Sequence, residues 1–106
     1  MHIAMVSEHA SPLAGPGGPD AGGQNVHVRE LSLAMAAAGH RVTVHTRRDS
    51  PDLPDSVDMD GVEVRHVRAG PPVRLPKDRI VAHVPKLAAE LEREWRADPP
   101  DLVHAH

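Results

Sequence analysis

Residues 23–46, GQNVHVRELSLAMAAAGHRVTVHT, carry two different periodicities joined by a single glycine. Val28, Leu31, Ala34, Met35 and Ala38 recur at three- and four-residue spacing, which predicts a helix over 23–38 with one apolar face. Gly39 then supplies a C-terminal stop, and RVTVHT (41–46) alternates β-branched with polar residues, as a strand does. A helix delivered straight into a strand through a short turn is the second half of a βαβ unit.

Upstream, His2–Val6 reads as the first strand of that unit, and the Pro/Gly-rich stretch from Ser7 to about Gly22 as a loop longer than a simple connection needs. Downstream, 47–61 holds Pro51, Pro54 and five aspartates and reads as a polar loop. Val62–Val67, VEVRHV, alternates strictly and gives a third strand. AGPPVRLP interrupts regular structure, and a helix follows over 78–96, with Ile80, Val81, Val84, Leu87, Leu91 and Trp95 on its inner face. Pro85 inside that pattern predicts a kink or two shorter helices. DLVHAH (101–106), after two prolines, reads as a fourth strand. The order β-α-β-β-α-β implies an α/β fold, Rossmann-like and three-layered, with a mostly parallel sheet. Such a sheet normally continues past a terminal strand, so the chain reads as a truncated domain.

Composition bounds the rest. The 106 residues suffice for one domain, and with one Trp and no Phe or Tyr the core has to come from Val, Leu, Ile, Met and Ala. A net charge of -3 with no basic patch beside aromatics argues against nucleic-acid binding. Without cysteine there is neither a disulfide framework nor a thiolate metal site. MHIAMV is too short for a signal-peptide core and no run approaches membrane-spanning length, so a cytoplasmic location is the expectation.

The glycine-rich loop, GGPDAGGQNVH (17–27), feeds the first helix at the edge of the sheet where ligands bind in open α/β folds. It is not a dinucleotide fingerprint, because counting from Gly15 the third glycine position holds Asp20. Nor is it a P-loop, because Gln24 and Asn25 follow Gly18 and Gly23 where a lysine and a hydroxyl are required. Gly22 and Gly23 permit close backbone approach, and the two amides suit hydroxyl-rich ligands. The same pair serves equally as a tight helix entry with Asp20 as its cap.

Other candidates carry similar pairs of readings. Lys77 follows a Pro-rich loop at the ligand edge, where it is either a cation for a phosphate or a solvated lysine. His104 and His106 lie two apart on a strand and share a face; a shared zinc ion would need a third ligand that no spacing supplies. Glu8 and His9 are read as loop residues, and His27 as a partly buried packing residue. Arg47 and Arg48 stand at the site edge, binding phosphate or pairing with Asp49 and Asp52.

Taken together, DAGGQN, TRRD, AGPP with the following Lys-Asp, and PDLVHAH resemble family-4-type retaining glycosyltransferases, whose GT-B fold pairs two Rossmann-like domains. The resemblance implies an acceptor-side, N-terminal portion of such an enzyme spanning 1–106, inactive without its donor domain. A hexosyl group would pass from a nucleotide sugar, as co-substrate and not cofactor, to a hydroxylated acceptor with or without phosphate. It implies that Gly22 and Gly23 pass near donor phosphates and acceptor, that Asn25 contacts the acceptor, that Lys77 holds an acceptor phosphate, and that His106 stands at the transfer site. No cofactor or metal is implied, and a homodimer is compatible with it. Gln24 departs from the Met of the mycothiol branch and agrees with the sucrose-related branch. A stand-alone sugar-phosphate-binding module without catalysis is the alternative.

Overall fold

The computed structural model describes residues 1–9, 11–13 and 23–106. Its elements are β1 (His2–Val6), α1 (Gly23–Ala37), β2 (Arg41–Arg47), β3 (Ser56–Met59), β4 (Val62–Val67), α2 (Lys77–Ile80), a 3-10 turn (Val81–His83), α3 (Val84–Ala97) and β5 (Leu102–Ala105). One five-stranded sheet has the order β3-β4-β2-β1-β5. β1 is parallel to both β2 and β5, β2 is parallel to β4, and only β3 runs antiparallel, against β4.

The alternation read in the strands divides the sheet into two unlike faces. Ile3, Met5, Val42, Val44, Val62 and Val64 point to one side and bury against Val28 of α1, with Leu31, Leu33 and Met35 closing over them. The other side carries Val67, Ala69, Leu87 and Leu91, with Val6 and Trp95 packed on them. Thr43 and His45 from β2, both buried, share this second face by the period-two alternation of β2. A core without Phe or Tyr is thus mostly Val and Met under α1, with Ile3 among them, and mixed under α3.

Helix ends follow the local chemistry. Gly39, at φ 97°, closes α1 in a Schellman arrangement: its N–H donates to Ala36 O at 3.0 Å, and that of His40 to Met35 O at 3.2 Å. Pro85 stands in the first turn of α3, where its missing N–H costs nothing, and the expected 78–96 helix is divided into α2, the 3-10 turn and α3.

Two expectations need correction. The 47–61 segment is not all loop, since it contains β3. Asp60 (φ 48°) and Gly61 (φ 93°) form a two-residue turn with both φ positive, which joins Met59 to its partner Val62. Val81 and Val84, expected inside, are 67% and 43% exposed, because the helix break at 81–83 rotates them off the face that carries Leu87 and Leu91.

Candidate functional site

Four parallel strands send their carboxyl ends to one edge: β1 into Ser7–His9, β2 into Arg47 and Arg48, β4 into the 68–76 segment, and β5 into His106. The chain moves outward from β1 to β2 and β4, then returns to the other flank of β1 as β5. The point of reversal, between β1 and β5, is where open α/β sheets leave a crevice for ligands. His106 sits there, its backbone N–H donating to Val6 O at 2.9 Å.

The start of α1 is sewn to the loop that leaves β1. Gln24 donates from Nε2 to Ser7 Oγ at 3.3 Å, and Asn25, only 5% exposed, donates from Nδ2 to Ser11 O at 2.9 Å. Both amides therefore have a structural duty that the sequence reading did not foresee. Gly23 opens α1, while Gly22 and the cap position Asp20 lie outside the described residues.

His106 gathers two further imidazoles. Its ring lies 4.4 Å from that of His104 at an interplanar angle of 18°, and 5.6 Å from that of His27, edge-on at 68°. His27 is exposed in the first turn of α1, not partly buried. What brings the two rings together is the place of α1's first turn over the reversal point, a tertiary relation with no local signal. Nε2 of His106 is buried and has no hydrogen-bond partner among the described residues. Burial, then the neighbouring His104 and His27, hold the His106 pKa below the ordinary imidazole value, against the opposing pull of Glu8. The ring is accordingly neutral near pH 7, able to donate or accept one hydrogen bond through each nitrogen. Stacked rings such as His104 and His106 do not converge their nitrogens on a point, and among the described residues no group of three His, Cys, Asp or Glu is placed to hold a metal.

Beside this crevice, a cavity of about 230 Å³ opens among the ends of β1, β2 and β4, lined among others by Glu8, His9, Thr46, Arg47, His66 and Arg74. His9 Nδ1 is 3.3 Å from Glu8 Oε1, so the two residues read as plain loop form a pair on the cavity wall. Lys77 is exposed in the only turn of α2 and has no side-chain partner among the described residues; Ile80, from the same turn, reaches the cavity. The structure thus brings Gln24, Asn25 and His106 together around the end of β1 and sets Lys77 on the β4 side of the same edge.

Arg47 and Arg48 do not pair with Asp49 and Asp52. Arg48 donates to Leu53 O and to Asp55 Oδ1 at 2.6 Å, and Arg47 turns its guanidinium onto carbonyls of the 68–76 segment.

A mostly parallel sheet with helices on both faces, and with amides, an uncharged histidine and a lysine at its carboxyl edge, defines a Rossmann-like domain. The sequence profile of Glycosyltransferase Family 4 matches residues 21–106, and the chain belongs to that family. It is 45% identical to a D-inositol 3-phosphate glycosyltransferase of Jonesia denitrificans over 108 aligned residues, covering 98% of this chain and 26% of the relative. A D-inositol 3-phosphate glycosyltransferase of Nocardiopsis dassonvillei is 46% identical, with 98% and 25% covered. Among solved structures, sucrose-phosphate synthase from Thermosynechococcus elongatus superposes with a TM-score of 0.93 at 32% identity, over 98% of this chain and 26% of the other. The fold is that of a Rossmann-like domain of the GT-B glycosyltransferases. The chain spans about a quarter of the length of the relatives it matches.

Proposed function

We propose that this chain is the acceptor-side portion of a retaining glycosyltransferase that moves a hexosyl group from a nucleotide sugar to a phosphorylated polyol or sugar. The observation that carries the reading is His106: a neutral imidazole whose buried Nε2 has no hydrogen-bond partner among the described residues, held by β5 at the reversal point of the sheet. Such a group donates one hydrogen bond to a hydroxyl of the sugar in transfer without bringing a competing positive charge to the reacting centre. Gln24 and Asn25 shape the acceptor wall through their bonds to Ser7 and Ser11, and glycine, having no side chain, suits positions 22 and 23 for a close approach of the donor phosphates. Lys77, as a solvent-facing cation, meets the acceptor phosphate.

Positioning and stabilisation of the leaving diphosphate supply the catalysis, and the groups that bind the diphosphate belong to a donor domain outside residues 1–106. Leu102 and Val103 of the edge strand β5 are 51% and 45% exposed, an apolar surface suited to being covered by further sheet. No described helix is long and apolar enough to cross a membrane, and we assign the reaction to the cytoplasm.

The test is transfer by the full-length gene product from a panel of nucleotide sugars to D-inositol 3-phosphate, inositol, and the phosphorylated and free hexoses. The relatives' names, a D-inositol 3-phosphate glycosyltransferase and a sucrose-phosphate synthase, favour the phosphorylated arms. Losing a charge-assisted hydrogen bond of about 1.5–3 kcal/mol, Lys77→Ala should raise the KM for a phosphorylated acceptor about tenfold or more. An unchanged KM removes Lys77 from the acceptor site. Binding of sugar phosphate without any transfer establishes the non-catalytic module instead.

A further inference from the structure

Arg47 is the last residue of β2, 4% exposed, and sits on the wall of the 230 Å³ cavity. Its Nη1 donates to Ala69 O at 3.3 Å and to Pro71 O at 2.8 Å, and its Nη2 donates to Val73 O. These three carbonyls belong to a segment with two prolines and a glycine that pairs with no strand. Within the segment the one backbone bond is Val73 N–H to Pro71 O, at 2.8 Å. Carbonyls that neither a helix nor a sheet satisfies thus converge on one guanidinium. The planar fork spreads its donors over two nitrogens that reach carbonyls spaced along the segment, whereas the three N–H groups of a lysine ammonium all leave from one atom.

A second contact fixes the same segment from the other side. Gly70 adopts φ +80°, and a Cβ built on it would lie 2.5 Å from Nδ1 of His83, so the imidazole of the 3-10 turn rests directly on the Gly70 backbone. Arg47 holds the segment before α2, and His83 returns to it immediately after α2. The single turn between these two fixed points begins with Lys77.

We propose that Arg47 is a positioning residue, which sets where Lys77 stands by clamping the 69–73 backbone to the end of β2. The proposal rests on the reading of Lys77 as the cation for an acceptor phosphate. Arg47 need not touch the ligand: its effect passes through the three carbonyls and the rigid Pro-rich link to α2. Because the clamp acts on one segment, its loss should affect recognition of the phosphate and leave the chemical step alone.

The experiment compares Arg47→Lys, Arg47→Met and Lys77→Ala with the wild type in the full-length gene product, using D-inositol 3-phosphate and inositol as acceptors and hydrogen exchange as a structural readout. Both Arg47 variants should speed amide exchange in 69–76 about tenfold while exchange in β1 and β4 stays as in the wild type. The KM for D-inositol 3-phosphate should rise about tenfold with kcat within about twofold, and the KM for inositol should hold. Unchanged exchange in 69–76 overturns the clamp. Faster exchange with an unmoved KM, where Lys77→Ala raises it, leaves Arg47 a purely structural residue and overturns its positioning role. An unmoved KM in Lys77→Ala sinks the reading of Lys77 itself and the positioning role with it, and is told apart by that variant alone. Should Arg47→Met not fold, Arg47→Lys decides, since it keeps the charge and loses only the fork.

Discussion

Acid should destabilise this fold chiefly through His45. It lies in the middle of the sheet on the α3 face, 3% exposed, with Trp95 Nε1–H donating to its Nε2 at 3.4 Å and Glu94 Oε2 3.3 Å from its Nδ1. The Trp95 contact requires Nε2 to be unprotonated, so the neutral ring carries its proton on Nδ1, which lies near Glu94 without a hydrogen bond to it. Charging the ring would place an N–H against the indole N–H, two donors facing each other. Burial is the largest influence, and Arg65 and His2 add to it, while Glu94 opposes; together they push the His45 pKa down to about 4 from the ordinary 6.5. The folded state then binds fewer protons than the unfolded one between those two values, so stability is complete above pH 6.5 and drains as the pH falls towards 4.

A shift of that size corresponds to a loss of about 2 kcal/mol by pH 5 and about 3 kcal/mol by pH 4. Urea unfolding at pH 7, 5 and 4, followed by the fluorescence of the single tryptophan, measures it. His45→Phe is the control, because it keeps an aromatic ring beside Trp95 and removes the titration. Its absolute stability is not the quantity of interest; the difference in pH dependence between the two proteins is. If wild type and His45→Phe lose the same stability between pH 7 and pH 4, the buried-histidine reasoning is wrong, and the acid sensitivity belongs to other groups.

Three other perturbations probe separate parts of the structure. Gly70→Ala forces a side chain into the left-handed region, at about 1–2 kcal/mol, and into the His83 ring; thermal melts should show a larger loss than that, partly restored by adding His83→Ala. Met5→Ala empties a fully buried position under α1 and should cost about 2–5 kcal/mol in urea unfolding, whereas a loss below about 1 kcal/mol would mean that the Val-rich core closes over the hole. In the full-length enzyme, a neutral His106 requires the acid limb of the kcat profile to fall with a midpoint below 6.5 and to move or vanish in His106→Asn; a midpoint at or above 6.5 contradicts the depressed pKa.

What could be read from the sequence was whatever has a local cause. The Val28–Met35 periodicity, the Gly39 stop and the RVTVHT alternation gave α1, its Schellman end and β2 because each depends on a few neighbouring residues. Pro85 likewise marked the division between α2 and α3. β3 escaped because its aspartates and flanking prolines masked a short strand, although Asp60-Gly61 between SVDM and VEV is a hairpin signal that would have found it. The exposure of Val81 and Val84 was invisible because an unbroken helical period carried through the 3-10 turn puts them on the wrong face. At the candidate site, residue types suggested Gln24 and Asn25, while Lys77 and His106 rested on the family resemblance. The meeting of His27 with His106, the turn of Arg47 away from Asp49 and the pairing of Glu8 with His9 on a cavity wall are long-range or rotameric outcomes, and no spacing encodes them.

The candidate site is built on supports of unequal strength. Gln24 and Asn25 stand on α1, whose apolar face is pressed onto Met5, Val42, Val44 and Val64, the most buried part of the molecule. His106 stands at the end of β5, a four-residue strand with exposed side chains and one neighbour, β1, to which it is joined from Ile3↔Leu102 to Val6↔Ala105. The backbone bond from His106 to Val6 continues that ladder by one more residue. An edge strand so supported belongs to the low-stability end of a structure, where local opening costs least. The residues proposed to face the acceptor thus stand on the more firmly held half, and the imidazole of His106 on the less firmly held one. If the proposed reading holds and this unit is the acceptor side of a two-domain transferase, that division is physically apt: the acceptor contour would be set within this unit, and the imidazole at the end of β5 would gain most in order from packing against a second domain.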